Sequence, residues 1–297
     1  MANLKDIRIR IASVKSTQQV TSAMKMVSAA KLRKAQDAIV QMRPYADKLD
    51  EILNSLSSNL DASIENKYAA RKNTERILIV AITSNRGLCG GFNSNVIKKT
   101  TELYSQTFKE YSKMGKVDVF AVGKKGVDGL KTKGIKVTKS FLDIYDNLSF
   151  TAVTEITQSL LQGYTSGLYD HIELVYNEFK NAAVQNLVSL QFLPVKIKDS
   201  SDIQKRKSKY GTDYIYEPSM QEIADEVIPQ SLKIQFYKAI LDSIASEHGA
   251  RMTAMHKATD NATLLIRELK LKYNQARQAA ITNEILEIVS GANALRN

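Results

Sequence analysis

Residues 230–290 read QSLKIQFYKAILDSIASEHGARMTAMHKATDNATLLIRELKLKYNQARQAAITNEILEIVS, and residues 1–43 read MANLKDIRIRIASVKSTQQVTSAMKMVSAAKLRKAQDAIVQMR. The first run holds a single Gly, Gly249, and no Pro; the second holds neither. Globular helices usually run roughly 8–20 residues, so two breaker-free stretches of this length predict coiled coil rather than domain helices. Each would extend roughly 60–90 Å at 1.5 Å per residue. A helix that long cannot bury its apolar face on a compact core. Pairing the two ends with each other buries both faces and leaves the middle of the chain as an inserted domain.

The periodicity supports this. Leu4, Ile7, Ile11 and Val14 follow a 3-4-3 spacing, one face of a helix. The face then turns small and polar through Thr17, Gln18, Thr21, Met24, Val27, Ala29 and Ala30, which lowers two-helix stability but allows close approach or sliding. Arg43-Pro44 predicts a kink or pause, with helix resuming through Ile52, Leu53, Leu56 and Leu60. Toward the C-terminus, Tyr237, Leu241, Ile244, His248, Arg251, Met255, Ala258, Ala262, Leu265 and Leu269 alternate by four and three. Ile281, Ile285, Ile288, Ala292 and Leu295 continue after a shift of phase, which alters the winding of a coiled coil.

Between the ends, Ile77 to Ile82 is a continuous apolar run and reads as a buried parallel strand. A loop at 83–93 follows, then a helix over about 94–113, a strand at Val117–Val122, a short helix over 123–133 and a strand at Ile135–Phe141. A helix near 150–167 and strands near His171–Phe179 and Val188–Val195 complete a βαβ pattern with a mostly parallel sheet, a Rossmann-like α/β domain. Residues 196–217 are charged and poor in aliphatics and predict a mobile loop or hairpin. The expected division is a coiled-coil helix over 1–60, an α/β domain over 75–217 and a second coiled-coil helix over 218–297.

The net charge of +11 is unevenly distributed. Residues 1–43 carry nine Lys/Arg against two Asp/Glu, residues 230–297 nine against six, and residues 44–229 a near balance of 24 against 23. A basic helix pair around a neutral middle predicts an acidic partner met along the helices. No stretch of about 18 apolar residues predicts a membrane span, and Met1 to Lys5 has no apolar signal core, so secretion is not expected. One cysteine, Cys89, can form neither an intrachain disulfide nor a cysteine-based zinc site and suits a reducing compartment.

Enzyme chemistry is hard to assemble from these residues. Gly87, Gly90 and Gly91 follow the first strand, where an open α/β sheet binds phosphates, but Phe92-Asn93 stands where a P-loop needs Lys-Ser/Thr. A tight structural turn is the expectation. Cys89 beside glycines could have a lowered pKa, yet no His lies near it in sequence, and a small buried residue is the plainer reading. His248 and His256 are eight residues apart on one helix, too far to share a metal. Lys25, Lys31, Arg33 and Lys34 read as a basic stripe: a solvated face, a phosphate-binding surface or a dock for an acidic protein. Aromatics do not interleave with these charges, which weakens a single-strand nucleic-acid role. A basic coiled-coil nucleic-acid-binding protein is the alternative to carry.

The motifs that remain resemble a family. Ile11-Ala12-Ser13-Val14, Thr17-Gln18, Ala23-Met24, Met26-Val27, the run Lys31 to Gln36 and Arg43-Pro44-Tyr45 are similar to the opening of the γ subunit of F-type ATP synthases. So are Ala245 to Met252, Ala254-Met255, Ala258 to Ala262, Tyr273-Asn274, Ala276 to Ala279, Ile281-Thr282, Glu284 and Glu287 to Ala292, together with the loop Thr83 to Gly90. The resemblance spans essentially the whole chain, strongest at both ends.

It implies an antiparallel coiled coil of the two terminal helices, seated inside three α and three β subunits. The α/β domain would lie toward the membrane against the ε subunit and the c-ring, with δ as a further partner. The chain would carry no active site or cofactor; it would be the rotor shaft that couples ion flow to chemistry on β and regulates ATPase activity. It would sit peripherally at the cytoplasmic face of the inner membrane and reach the membrane only through the complex. Carried over by residue, Met24 and Lys25 match rotor positions facing β. Lys31, Arg33 and Lys34 match basic positions near an acidic loop of β, and Arg277, Gln278, Thr282 and Glu284 match positions that engage a β loop. The thiol switch of chloroplast members needs a cysteine pair, and this chain has Cys89 alone.

Overall fold

The computed structural model describes residues 4–59, 67–68, 74–145, 148–195, 217 and 219–294. The chain forms two compact units, residues 1–29 with 251–297, and residues 30–250. Two long helices contribute to both: α1, Leu4–Asn59, and α6, Met220–Ala294. The interruption expected at Pro44 does not occur, for α1 runs through it, as α6 runs through Pro229. Pro44 and Val40 are both exposed, so the carbonyl that loses its donor to the proline lies in a solvated part of the helix.

In the unit of residues 30–250 a five-stranded sheet has the order β3-β2-β1-β4-β5. Its strands are β1 Ile77–Ile82, β2 Val117–Val122, β3 Lys139–Phe141, β4 His171–Phe179 and β5 Gln185–Leu193. β1 is parallel to β2 and β4, β3 is parallel to β2, and β5 returns antiparallel along β4. This is the mostly parallel sheet expected. All six residues of β1 are buried because both faces of the sheet are covered. Leu78, Val80 and Ile82 face one core with α5 (Phe150–Thr165) and α6; Ile77, Ile79 and Ala81 face the other with α2 (Phe92–Glu102) and α4 (Lys124–Thr132). Within this unit Leu232, Phe236, Ala239 and Ile240 of α6 belong to the first core, with Phe236 5.9 Å from Phe192 between ring centres.

Three elements differ from expectation, each for a local reason. The helix expected over 94–113 is α2, a π turn over Leu103–Thr107, and α3, Lys109–Lys113. Phe108 N donates to Leu103 O at 2.8 Å, so the wider turn lets both Leu103 and Phe108 reach the same core. The strand expected from Ile135 starts only at Lys139. Ile135 is instead the apolar residue closing a Schellman cap on α4, with Ile135 N bonded to Leu130 O and Gly134 at φ 75°. β5 begins at Gln185 because Asn181 Oδ1 accepts from Ala183 N and Val184 N and turns the chain early. The mobile loop expected over 196–217 falls, but for Glu217, outside the described residues, as do Leu60 and Leu295.

Candidate partner-binding surface

In the unit of residues 1–29 and 251–297 the two terminal helices pack through a seam that is largely polar. Arg8 donates to the Tyr273 hydroxyl at 2.7 Å, with its guanidinium 5.7 Å from the ring centre. Gln18 Nε2 donates to Thr263 Oγ1 at 2.7 Å, and the Thr21 and Thr259 hydroxyls bond at 2.8 Å. As the number on α1 rises from 8 to 21, its partner's falls from 273 to 259, so the helices are antiparallel. Met255, Ala262 and Leu269 supply the buried apolar positions between the polar ones. A Thr21→Val, Thr259→Val pair tests this seam. Each hydroxyl also reaches a backbone carbonyl of its own helix, Gln18 O for Thr21 and Met255 O for Thr259. Each single change therefore removes only the bond between the helices, at about 1 kcal/mol, and the double costs less than the sum, as a thermal double-mutant cycle will measure.

The same register places Leu4 opposite about residue 277. Beyond it α6 continues to Ala294, about 25 Å at 1.5 Å per residue. Ile281, Ile285 and Ile288, expected to extend the seam after a phase shift, are exposed, Ile288 at 71%. Among the described residues nothing covers them, since the described part of α1 starts at Leu4. Arg277, Gln278, Thr282 and Glu284 are exposed on this overhang, and Thr282 returns its hydroxyl to Gln278 O at 2.9 Å.

Met24 and Lys25 are half-buried on α1, beside the buried Thr21 and Ser28. In the other unit Lys31, Arg33 and Lys34 are exposed, whereas Leu32 and Ala35 are buried. At 100° per residue Lys31 and Lys34 share a side, while Arg33 lies about 200° from Lys31. The basic residues therefore wrap the outer surface of α1 instead of forming one stripe. None of Lys25, Lys31, Arg33 and Lys34 forms a salt bridge with a described residue. Sequence reasoning passed over the exposed Ile9 and Val20 of the same helix and placed Val27, which is also exposed, on the seam. Ile9, Val20 and Val27 recur at spacings of 11 and 7, which put them on one outward side.

The glycine-bearing loop after β1 closes on its own unit. Lys124 N donates to Asn85 Oδ1 at 2.9 Å, Lys125 N to Ser84 O at 3.0 Å and Gly126 N to Thr83 Oγ1 at 2.8 Å. The loop after β1 is thus tied to the first amides of α4, which are orphan donors at a helix start. Leu88 and Gly90 make its tip at φ 61° and 58°, and Cys89 is buried with Asn93 Nδ2 3.2 Å from its Sγ. His256 is exposed and pairs with Asp260 at 3.4 Å, while His248 is half-buried on the expected seam.

A family model described as ATP synthase matches residues 3–295. The ATP synthase gamma chain of Flavobacterium johnsoniae is 57% identical over 99% of both chains. The chain belongs to the ATP synthase gamma chain family. The gamma chain of Cytophaga hutchinsonii is 49% identical over the full length of both. Among solved structures, a chain of the Euglena gracilis mitochondrial ATP synthase (OSCP/F1/c-ring, rotational state 3) has a TM-score of 0.68 at 23% identity, covering 98% of this chain and 94% of that one. A chain from the central stalk and c-ring of the Tetrahymena thermophila mitochondrial enzyme has a TM-score of 0.56 at 25% identity, covering 80% and 99%. As a gamma chain it is a subunit of an ATP synthase. No helix among the described residues is long and apolar enough to cross a membrane.

Proposed function

We propose that this chain is a non-catalytic shaft, turning within three α and three β subunits to couple ion flow to ATP synthesis and hydrolysis on β. The observation that carries the reading is identity of 57% to a gamma chain along the whole length. The antiparallel helix pair and its apolar overhang fit a shaft that needs a surrounding sleeve. A shaft biases each β site only by contacting its states unequally, so an asymmetric surface supplies the coupling. Met24 and Lys25 face β, and Lys31, Arg33 and Lys34 meet an acidic loop of β. Arg277, Gln278, Thr282 and Glu284 engage a β loop near the overhang. The α/β domain meets ε and the c-ring, with δ as a further partner. The chain stands at the cytoplasmic face of the inner membrane, held there only by the complex.

The test is a tagged pull-down from detergent-solubilised membranes with stoichiometry by mass spectrometry. About three α and three β per tagged chain, with ε and c, is the expected result. Recovery of DNA without α or β would replace this reading with that of a basic nucleic-acid-binding coil.

A further inference from the structure

Asp242 is a charged side chain in the wrong surroundings. It lies on the part of α6 that packs against the sheet, is 5% exposed and accepts no hydrogen bond from a described residue. Lys238 faces it from one turn earlier on α6, Glu178 and Tyr176 from β4, and Arg43 from α1. The neighbouring hydroxyls of Ser243 and Ser246 are fully buried and have no partner among the described residues. One turn on, Gly249 lets α6 approach so closely that a Cβ there would stand 3.2 Å from the Ala182 backbone. The seat of α6 on the sheet is therefore tight and polar, and its carboxylate is left without a hydrogen bond from a described residue.

We propose that Asp242 operates this seat by its proton. Neutral, it brings an O–H donor to a place where Glu178 offers a carboxylate, and α6 seats firmly; ionised, it sets two carboxylates against each other and the seat loosens. The inference stands apart from the rotor reading, since it concerns the full chain by itself.

The direction of the pH dependence follows from the burial. Burial is the chief cause that pushes the Asp242 carboxyl up to about 6; Glu178 adds to it, while Lys238 and Arg43 oppose. With the folded pKa above the unfolded value of about 3.9, the stabilisation is complete below about pH 4 and is lost as pH rises through about 6. The decisive experiment is urea unfolding of the full chain and of Asp242→Asn from pH 4.5 to 8. The unfolding constant of the parent should rise about 20-fold relative to the variant's across that range, nearly all of it by pH 7. A ratio flat in pH overturns the proposal, whatever the absolute stability of the variant. Should Asp242→Asn fail to fold, Glu178→Gln decides. Removing the facing carboxylate should move the step to lower pH, and an unmoved step overturns the proposal equally.

Discussion

A chain carrying Lys31→Glu, Arg33→Glu and Lys34→Glu is expected to fold like the parent and to support proton-driven ATP synthesis at least about tenfold more slowly in the assembled complex. The three side chains are exposed and form no salt bridge with a described residue, so their reversal removes no internal contact. Surface changes of this kind usually stay within about 0.5 kcal/mol each, and far-UV circular dichroism and the melting temperature should barely move. At the proposed acidic surface of β the same reversal sets like charges together, which costs several kcal/mol. Because the residues wrap α1, single reversals should have unequal effects, with Arg33 separable from Lys31 and Lys34. Unchanged synthesis in the triple variant, with the subunit shown to be incorporated, would remove the electrostatic role. Raising the ionic strength should weaken the parent's coupling and leave the reversed variant less affected.

Gly123→Ala is expected to destabilise the α/β unit by about 3–5 kcal/mol in urea unfolding, enough to threaten a domain of ordinary stability. Gly123 sits between β2 and α4 at φ 94° and ψ 143°, a region open essentially to glycine. A Cβ there would also overlap the backbone carbonyl of Thr83. That carbonyl accepts from the Tyr145 hydroxyl, and Thr83 itself bonds Val122 O and Gly126 N, so it has little room to yield. Gly134→Ala is the control. Gly134 has φ 75° but nothing within 4 Å of a built Cβ, so that change should cost only the backbone term, about 1–2 kcal/mol. Equal losses in the two variants would mean that the crowding at Thr83 relaxes freely.

The sheet was legible in the sequence where burial is two-sided. Six apolar residues in a row at Ile77–Ile82 leave little else for β1 to be, and β2 and β4 follow the same logic. What the sequence hid were places where an apolar residue serves a turn rather than an element. Ile135 looks like the start of a strand, yet it closes a helix cap; Leu103 and Phe108, five apart, share a core only because a π turn intervenes. The coil was legible as a periodicity, but a periodicity does not say who covers the face. Ile281, Ile285 and Ile288 carry the repeat as well as Met255 and Leu269 do, and only the register with α1 separates the paired positions from the overhang. The basic residues were legible as a cluster, and their wrapping became visible once Leu32 and Ala35 marked the inward side. Asp242 gave no signal at all. With Leu241 and Ile244 read as the inward face it falls on a polar side, yet α6 is buried nearly all round at that level, against α1 and β4 together.

The pairing of Arg8 with Tyr273 and of Thr21 with Thr259 also dictates an order of events during synthesis. The first helix leaves the ribosome more than two hundred residues before the strand of chain that will cover it. All five strands of the sheet lie between positions 77 and 193, so all of them are made before α6, which starts at Met220. Contacts this distant in sequence form late and slowly. The nascent chain must therefore carry the first helix without its covering partner through most of its translation, a standing target for holding chaperones and for misassembly.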